Sequence, residues 1–370
     1  MTIPSSQIAA VIPSSGASAT SGVEIIHAHP VPVPGDGDLL VKLEYSGVCH
    51  TDIHSIRGDT PMLTDVAGHE GVGTVIAGEI YLYLPLFSQS QSHANMALCH
   101  VIVGPQVNET QWIGQRVGIS SCLACEICAI NHTACPSQKN AGAYIVSPAL
   151  HVTKIPSTLS PELAAPLLCA GIAMYSSIMK TKPRPGDWLA ILGAGGGLGH
   201  MGVQIAAKKG LNVLAIDKGP KKKELCLSLG AKHFLDFSEV DIIDGAKTLT
   251  SGLGVHGVIC TANSAKAYEQ SLQMLRPLGT LVCVGIPSVP FNLPATPLDM
   301  IIKGEDSALF RLTIVGNSAG TALEMDELLS MAVAKDVEAH IKVFELHEIN
   351  NVLERLEKSE VEGRVVLKIP

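Results

Sequence analysis

Aromatic residues make up only 4% of the chain and charged residues only 16%, against 46% hydrophobic ones. A chain so poor in charge and so rich in apolar residues can bury a core, which excludes global disorder. No Lys/Arg block is long enough to make the basic face that nucleic acid requires, and the net charge is −8. No apolar run approaches the roughly 18–20 residues of a membrane span. The opening stretch MTIPSSQIAAVIPSSG lacks a basic segment followed by an apolar block. A secretory leader is therefore not expected, and a soluble, cytoplasmic protein is.

Glycine (35) and proline (22) are plentiful over 370 residues. That length predicts two domains, and the composition suits a strand-and-turn-rich enzyme better than a helical bundle. Up to about residue 170, short apolar runs such as LLVKLEYSGVC and GVGTVIAG alternate with Gly, Pro and Ser clusters, a β-rich pattern with long loops. From about 186 the texture changes to WLAILG, LNVLAID, GVICTA, GTLVCVG and LTIVG, separated by helix-like segments. This alternation predicts an α/β fold with a parallel sheet covered on both faces. An amphipathic segment (ALEMDELLSMAVAKD) and a closing strand (GRVVLKI) follow residue 320. Residues 79–103, with Tyr81, Tyr83 and Phe87, interrupt an otherwise continuous run. They read either as an unusually apolar loop insertion or as a translated intron.

GAGGGLG follows a strand and opens a helix, the context a dinucleotide-binding turn requires. Glycines let the backbone approach a pyrophosphate, and the helix start presents free N–H groups to it. Ending the fingerprint at Gly199 puts Gly196 second and Ala194 first; starting it at Gly193 puts Leu198 third. Asp217 closes the next strand about 20 residues on, where a carboxylate accepts from the ribose hydroxyls and repels a 2′-phosphate. NAD is therefore expected over NADP. The run Lys221-Lys222-Lys223 lies just beyond, either reaching the adenosine ribose or opening a solvated helix.

The ten cysteines read as metal ligands, reactive thiols or small core residues. Cys122, Cys125, Cys128 and Cys135 fall in one short stretch and predict a closed, structural zinc site in a lobe spanning 118–140. Cys49 in SGVCHTDIH, His69 in AGHEG and Cys169 in PLLCAG are dispersed but flanked by dense polar residues. Two thiolates and one imidazole would leave one position of a zinc ion open, as catalysis requires. Cys99, Cys226, Cys260 and Cys283 stand alone in apolar stretches and read as buried hydrophobes.

The motifs GVCHTDIH, GHEGVG, SCLACEICAINHTACP, PLLCAGI and GAGGGLG occur in this order. Through them the chain resembles the zinc-containing alcohol dehydrogenases of the medium-chain dehydrogenase/reductase superfamily, in their tetrameric microbial branch. The resemblance covers all but residues 79–103. It implies a GroES-like, β-rich catalytic domain (1–171), a Rossmann doubly wound parallel-sheet NAD-binding domain (172–319) and a return to the catalytic domain (320–370). It also implies a homotetramer acting on a small-molecule alcohol or aldehyde, with no nucleic-acid or membrane partner.

Cys49, His69 and Cys169 would hold a catalytic zinc, a ligand set known from alcohol dehydrogenases. Asp52 would orient His69, and Glu70 would lie behind the metal. Thr51 would contact the substrate hydroxyl, and His54 would pass the proton on through the cofactor ribose. His50, Gly193, Gly196, Gly197, Leu198, Asp217, Lys222, Val284, Ile286 and Arg364 would contact NAD. Two zinc ions per chain are implied.

Several positions depart from the family pattern. Six residues instead of seven separate the last two lobe cysteines, and Ala173 stands where a Thr often follows CAGI. Thr60 replaces one pocket tryptophan, and the segment bearing a second is missing. Both pocket changes predict a substrate larger than ethanol, such as a biosynthetic intermediate. A zinc-dependent polyol or formaldehyde-adduct dehydrogenase, and a non-catalytic zinc- and dinucleotide-binding homologue, are the alternatives.

Overall fold

The computed structural model describes residues 2–13, 22–35, 37–58, 66–78, 112–120, 142–287, 291–293, 311–358 and 360–370. Residues 79–103, Thr60 and the four-cysteine lobe lie outside them.

The apolar runs of the first half become β1 (Ser6–Val11), β2 (Glu24–Pro30), β3 (Asp38–Val48), β4 (Glu70–Gly78), β5 (Arg116–Ser120), β6 (Tyr144–Pro148) and β7 (Val152–Lys154). The later runs become β8 (Trp188–Leu192), β9 (Asn212–Asp217), β10 (His233–Asp236), β11 (Val255–Cys260), β12 (Leu275–Cys283) and β13 (Thr313–Gly316). After them come β14 (Ile341–Glu345) and β15 (Arg364–Lys368). Within the long β3, Leu39, Val41 and Leu43 point to one core with Val75, Val117 and Ile145, the period of two that a strand imposes. β3 ends at Val48, and Cys49 follows it directly at the edge of the site.

Strands β8 to β13 form one parallel sheet in the order β10-β9-β8-β11-β12-β13. Counted from β8, this is the 3-2-1-4-5-6 order of a doubly wound dinucleotide fold, which reverses between β8 and β11. Alternate strand residues serve the two faces. Ile191, Val213 and Ala215 pack with Met201 and Ile205 on one side. Ala190, Leu192, Leu214 and Ile216 pack with Ile242 and Leu272 on the other. The predicted α/β architecture is thus observed, with both faces covered.

The second sheet runs β14-β15-β3-β4-β5-β7, with β6 on β3. The closing strand β15 lies antiparallel to β3, pairing Val365 with Val48 and Val366 with Gly47. Its start at Arg364 and Val365 therefore lies beside the end of β3 and Cys49, in the sheet of the first half. Among the described residues, no single helix is long and apolar enough to cross a membrane.

The turn after β8 leads into the helix Gly199–Lys208. Gly193 has φ +80 and Gly199 packs directly on the strand end, where an added Cβ would lie 2.2 Å from the Gly193 carbonyl oxygen. Gly199 is thus the close-packing glycine of the fingerprint. Gly199→Ala is expected to destabilise by about 1–3 kcal/mol through overpacking against backbone that cannot yield, measured as a shift in urea midpoint.

His200 is fully buried in the same helix, and burial pushes its pKa down from 6.5 to about 4. Between those values the unfolded chain binds the proton and the native state does not. Stability is therefore full above about pH 6.5 and falls as pH drops through 4, by up to about 3 kcal/mol. Urea midpoints across that window are expected to fall less steeply in His200→Asn.

Candidate active site

Cys49 ends the run into the helix His50–Ile56 and caps it: its Sγ accepts from the Thr51 backbone N–H at 3.3 Å. Asp52 closes the reciprocal half of the capping box, its Oδ2 accepting from the Cys49 N–H at 2.8 Å. Its other oxygen, Oδ1, accepts from His69 Nδ1 at 2.8 Å. One buried carboxylate thus fixes the Cys49 backbone and the His69 tautomer together. With Nδ1 held by Asp52, Nε2 faces the two sulfurs. Burial alone would lower the His69 pKa, but Asp52 and the two thiols outweigh it and raise it well above its ordinary value.

Cys169 arrives from a third segment, between the 3₁₀ turn Ala165–Leu168 and the helix Ala170–Lys180. His69 Nε2 lies 3.4 Å from Cys49 Sγ and 3.3 Å from Cys169 Sγ, and the two sulfurs are 3.9 Å apart. A hydrogen bond with Cys169 holds the Cys49 thiol well below its usual range and pushes Cys169 up. Tetrahedral zinc with about 2.3 Å Zn–S and about 2.0–2.1 Å Zn–N bonds has edges of about 3.6–3.8 Å. The observed separations bracket those edges, so the donor set fits a zinc ion by chemistry and by size.

Glu70 joins this group, each residue offering one ligand atom within 4.8 Å of the others. The carboxylate is completely buried and pairs through Oε1 with Arg364, itself 4% exposed. Burial pushes Glu70 up to about 7 against the pull of that guanidinium. Among the described residues its Oε2 has no hydrogen-bond partner. Gly47 makes room for it: an added Cβ there would lie 2.4 Å from the Glu70 carboxyl group. Sequence reasoning passed over Gly47, although a glycine inside a strand signals a close approach.

Thr51 and His54 stand on the His50–Ile56 helix, three residues apart and so on neighbouring positions of one face. Thr51 and His50 are exposed and His54 is half-buried.

At the sheet's reversal point, Asp217 Oδ2 accepts from the Gly195 N–H at 2.9 Å, and Oδ1 accepts from Lys218 N at 2.8 Å and Lys222 Nζ at 2.9 Å. Lys222 is therefore tied to the carboxylate, while Lys221 is 85% exposed. Gly196, Gly197 and Leu198 line the turn, and an added Cβ on Gly197 would meet the Arg364 side chain at 2.9 Å. Val284 and Ile286 follow β12, where Tyr268 Oη donates to the Gly285 carbonyl at 2.5 Å. Arg364 thus lies between the glycine turn and the cysteine–histidine cluster. Cys226 and Cys260 are buried as expected, and Cys283 is half-buried. Ala173 is buried.

Asp52→Asn is expected to lower zinc content or affinity about 10–100-fold while the protein stays folded. Metal analysis after dialysis against a graded chelator checks this.

Comparison with known proteins agrees with the geometry. Residues 35–80 match the alcohol dehydrogenase GroES-like domain and residues 197–334 the zinc-binding dehydrogenase family. An alcohol dehydrogenase of Moraxella sp. is 37% identical over 354 residues, covering 91% of this chain and 93% of that one. One from Schizosaccharomyces pombe is 35% identical over 388 aligned residues, covering 100% and 99%. The crystal structure of the alcohol dehydrogenase from Aeropyrum pernix superposes with a TM-score of 0.75 at 27% identity, covering 98% of this chain and 100% of that one. The chain belongs to the zinc-containing alcohol dehydrogenases of the medium-chain dehydrogenase/reductase superfamily and is an oxidoreductase acting on alcohols.

Proposed function

We propose that this chain interconverts an alcohol larger than ethanol and its carbonyl counterpart with NAD(H), at a zinc held by Cys49, His69 and Cys169. The observation that carries the reading is the convergence of those three donors, 3.3–3.9 Å apart, from segments up to 120 residues apart. A bound zinc supplies Lewis acidity toward the alcohol oxygen, and a nicotinamide dinucleotide supplies the hydride acceptor. The chain's own residues do the rest. Asp52 holds His69 through Nδ1 and so keeps Nε2 aimed at the sulfurs. Thr51 would accept the substrate's hydroxyl proton as it releases its own toward His54 on the same helix face, and His54 would release a proton to water. Glu70 stands behind the three donors, held by Arg364.

NAD preference is supported by Asp217, whose charge opposes a 2′-phosphate. His50, Gly193, Gly196, Gly197, Leu198, Lys222, Val284, Ile286 and Arg364 are proposed as the remaining dinucleotide contacts. The larger substrate is supported by Thr60 and by the short link between GIS and SCLAC. The cysteine spacing supports a second, structural zinc at Cys122, Cys125, Cys128 and Cys135. The proposed assembly is a homotetramer in which the edge strand β13 pairs between copies. The full-length similarity to alcohol dehydrogenases supports catalysis over a non-catalytic homologue.

Two measurements test the reading. kcat/KM is expected to rise from ethanol to longer and bulkier primary alcohols and to stay low for polyols; a clear ethanol or polyol preference overturns the substrate assignment. The NAD/NADP preference is expected to fall about 10–100-fold in Asp217→Gly, the range of a lost charged hydrogen bond. An unchanged ratio removes Asp217 from the discrimination.

A further inference from the structure

The helix Gly199–Lys208 turns one stripe, His200, Gln204 and Lys208 at i, i+4 and i+8, toward the segment 336–340 that leads into β14. Lys208 Nζ pairs with Asp336 Oδ1 at 2.5 Å. The Gln204 amide donates to the Glu338 carbonyl at 2.9 Å and accepts from the Glu338 N–H at 3.0 Å. These two contacts lie toward solvent. The third is sealed: His200 is 0% exposed, and its Nε2 accepts from the His340 backbone N–H at 3.2 Å.

That bond decides the tautomer. Since Nε2 accepts, the proton sits on Nδ1, which donates to the Gly196 carbonyl oxygen at 2.9 Å. The ring must be neutral to do both, and its burial favours the neutral form. The Gly196 oxygen also accepts from the His200 N–H at 3.1 Å. In a planar trans peptide the C=O and the following N–H point in opposite directions. Anchoring the Gly196 carbonyl inward therefore turns the Gly197 N–H outward, to the side where an anion approaches. On its other side the imidazole reaches β15, because the His340 carbonyl accepts from Arg364 N at 2.7 Å. Arg364 packs on Gly197 and pairs with Glu70.

We propose that His200 is a positioning residue for the dinucleotide: it fixes the peptide between Gly196 and Gly197 and sets that peptide in register with Arg364. The proposal rests on the dinucleotide reading of the turn given above. Among the described hydrogen bonds, Gln204 meets His200 and Glu338 and Lys208 meets Asp336, so of this stripe His200 is the residue that bonds the turn.

The test is a Kd for NADH by fluorescence titration of the zinc-loaded protein, with thermal midpoint, zinc content and alcohol KM at saturating NAD measured alongside. In His200→Ala the NADH Kd is expected to rise about tenfold, the scale of one lost buried hydrogen bond and an unsatisfied partner. Zinc content and alcohol KM are expected to stay within twofold. His200→Asn places an amide donor where Nδ1 lies and is expected to recover part of the affinity. It also serves if the alanine variant does not fold. A variant that is folded, less heat-stable and binds NADH like wild type overturns the proposal, because the role is then only structural. A wild type that binds neither NADH nor NADPH overturns the dinucleotide reading and this proposal together.

Discussion

The Asp52 carboxylate is the constraint on which the candidate site depends. Its two oxygens hold two groups that the chain brings from separate places: the backbone N–H of Cys49 and the Nδ1–H of His69. The first bond is also the second half of a helix cap, so the strand-to-helix turn that presents Cys49 and the ring that presents His69 are fixed by one side chain. Asp52 is itself buried, at 5% exposure, so neither bond competes with bulk water. Only Cys169 is positioned independently, by the break between a 3₁₀ turn and the following helix.

A second buried carboxylate gives the site its depth. Glu70 is wholly enclosed and tolerable there because Arg364 pairs with it, and because Gly47 leaves the volume it occupies. Replacing either partner would leave the other buried without its counter-charge. Arg364 also packs on Gly197 in the glycine turn. The cluster and the turn are thereby joined through one side chain at the start of the last strand, although they belong to different sheets. His200 adds a parallel connection through backbone groups. The glycine turn and the three-donor cluster are thus linked by packed, hydrogen-bonded contacts.

Much of this was readable from residue patterns, and the exceptions have physical causes. The strands at WLAILG and LNVLAID are apolar runs closed by glycine or aspartate, and they appear as β8 and β9. β10, the four-residue His233–Asp236, is half-buried throughout and carries too little periodicity to detect. The helix His50–Ile56 lies within a stretch read as β-rich; its apolar residues are few, and the capping box Cys49–Asp52 was its available signal. The fingerprint's register stayed open between Gly193 and Gly199, because glycines look alike in sequence. Only the close approach of Gly199 to the strand end separates them.

The sequence by itself determined the chemistry on offer: thiols, an imidazole and carboxylates in particular flanks, a glycine turn between strand and helix, and an acidic residue at the next strand's end. Those follow from local rules, in which neighbours along the chain dictate the conformation. Tertiary structure alone decided that Cys49, His69 and Cys169 meet, that Glu70 is buried against Arg364, and that His200 reaches His340. Each of these pairs is separated by 20 to 294 residues. Contacts of that range are set by sheet pairing and packing, which no local window of sequence encodes.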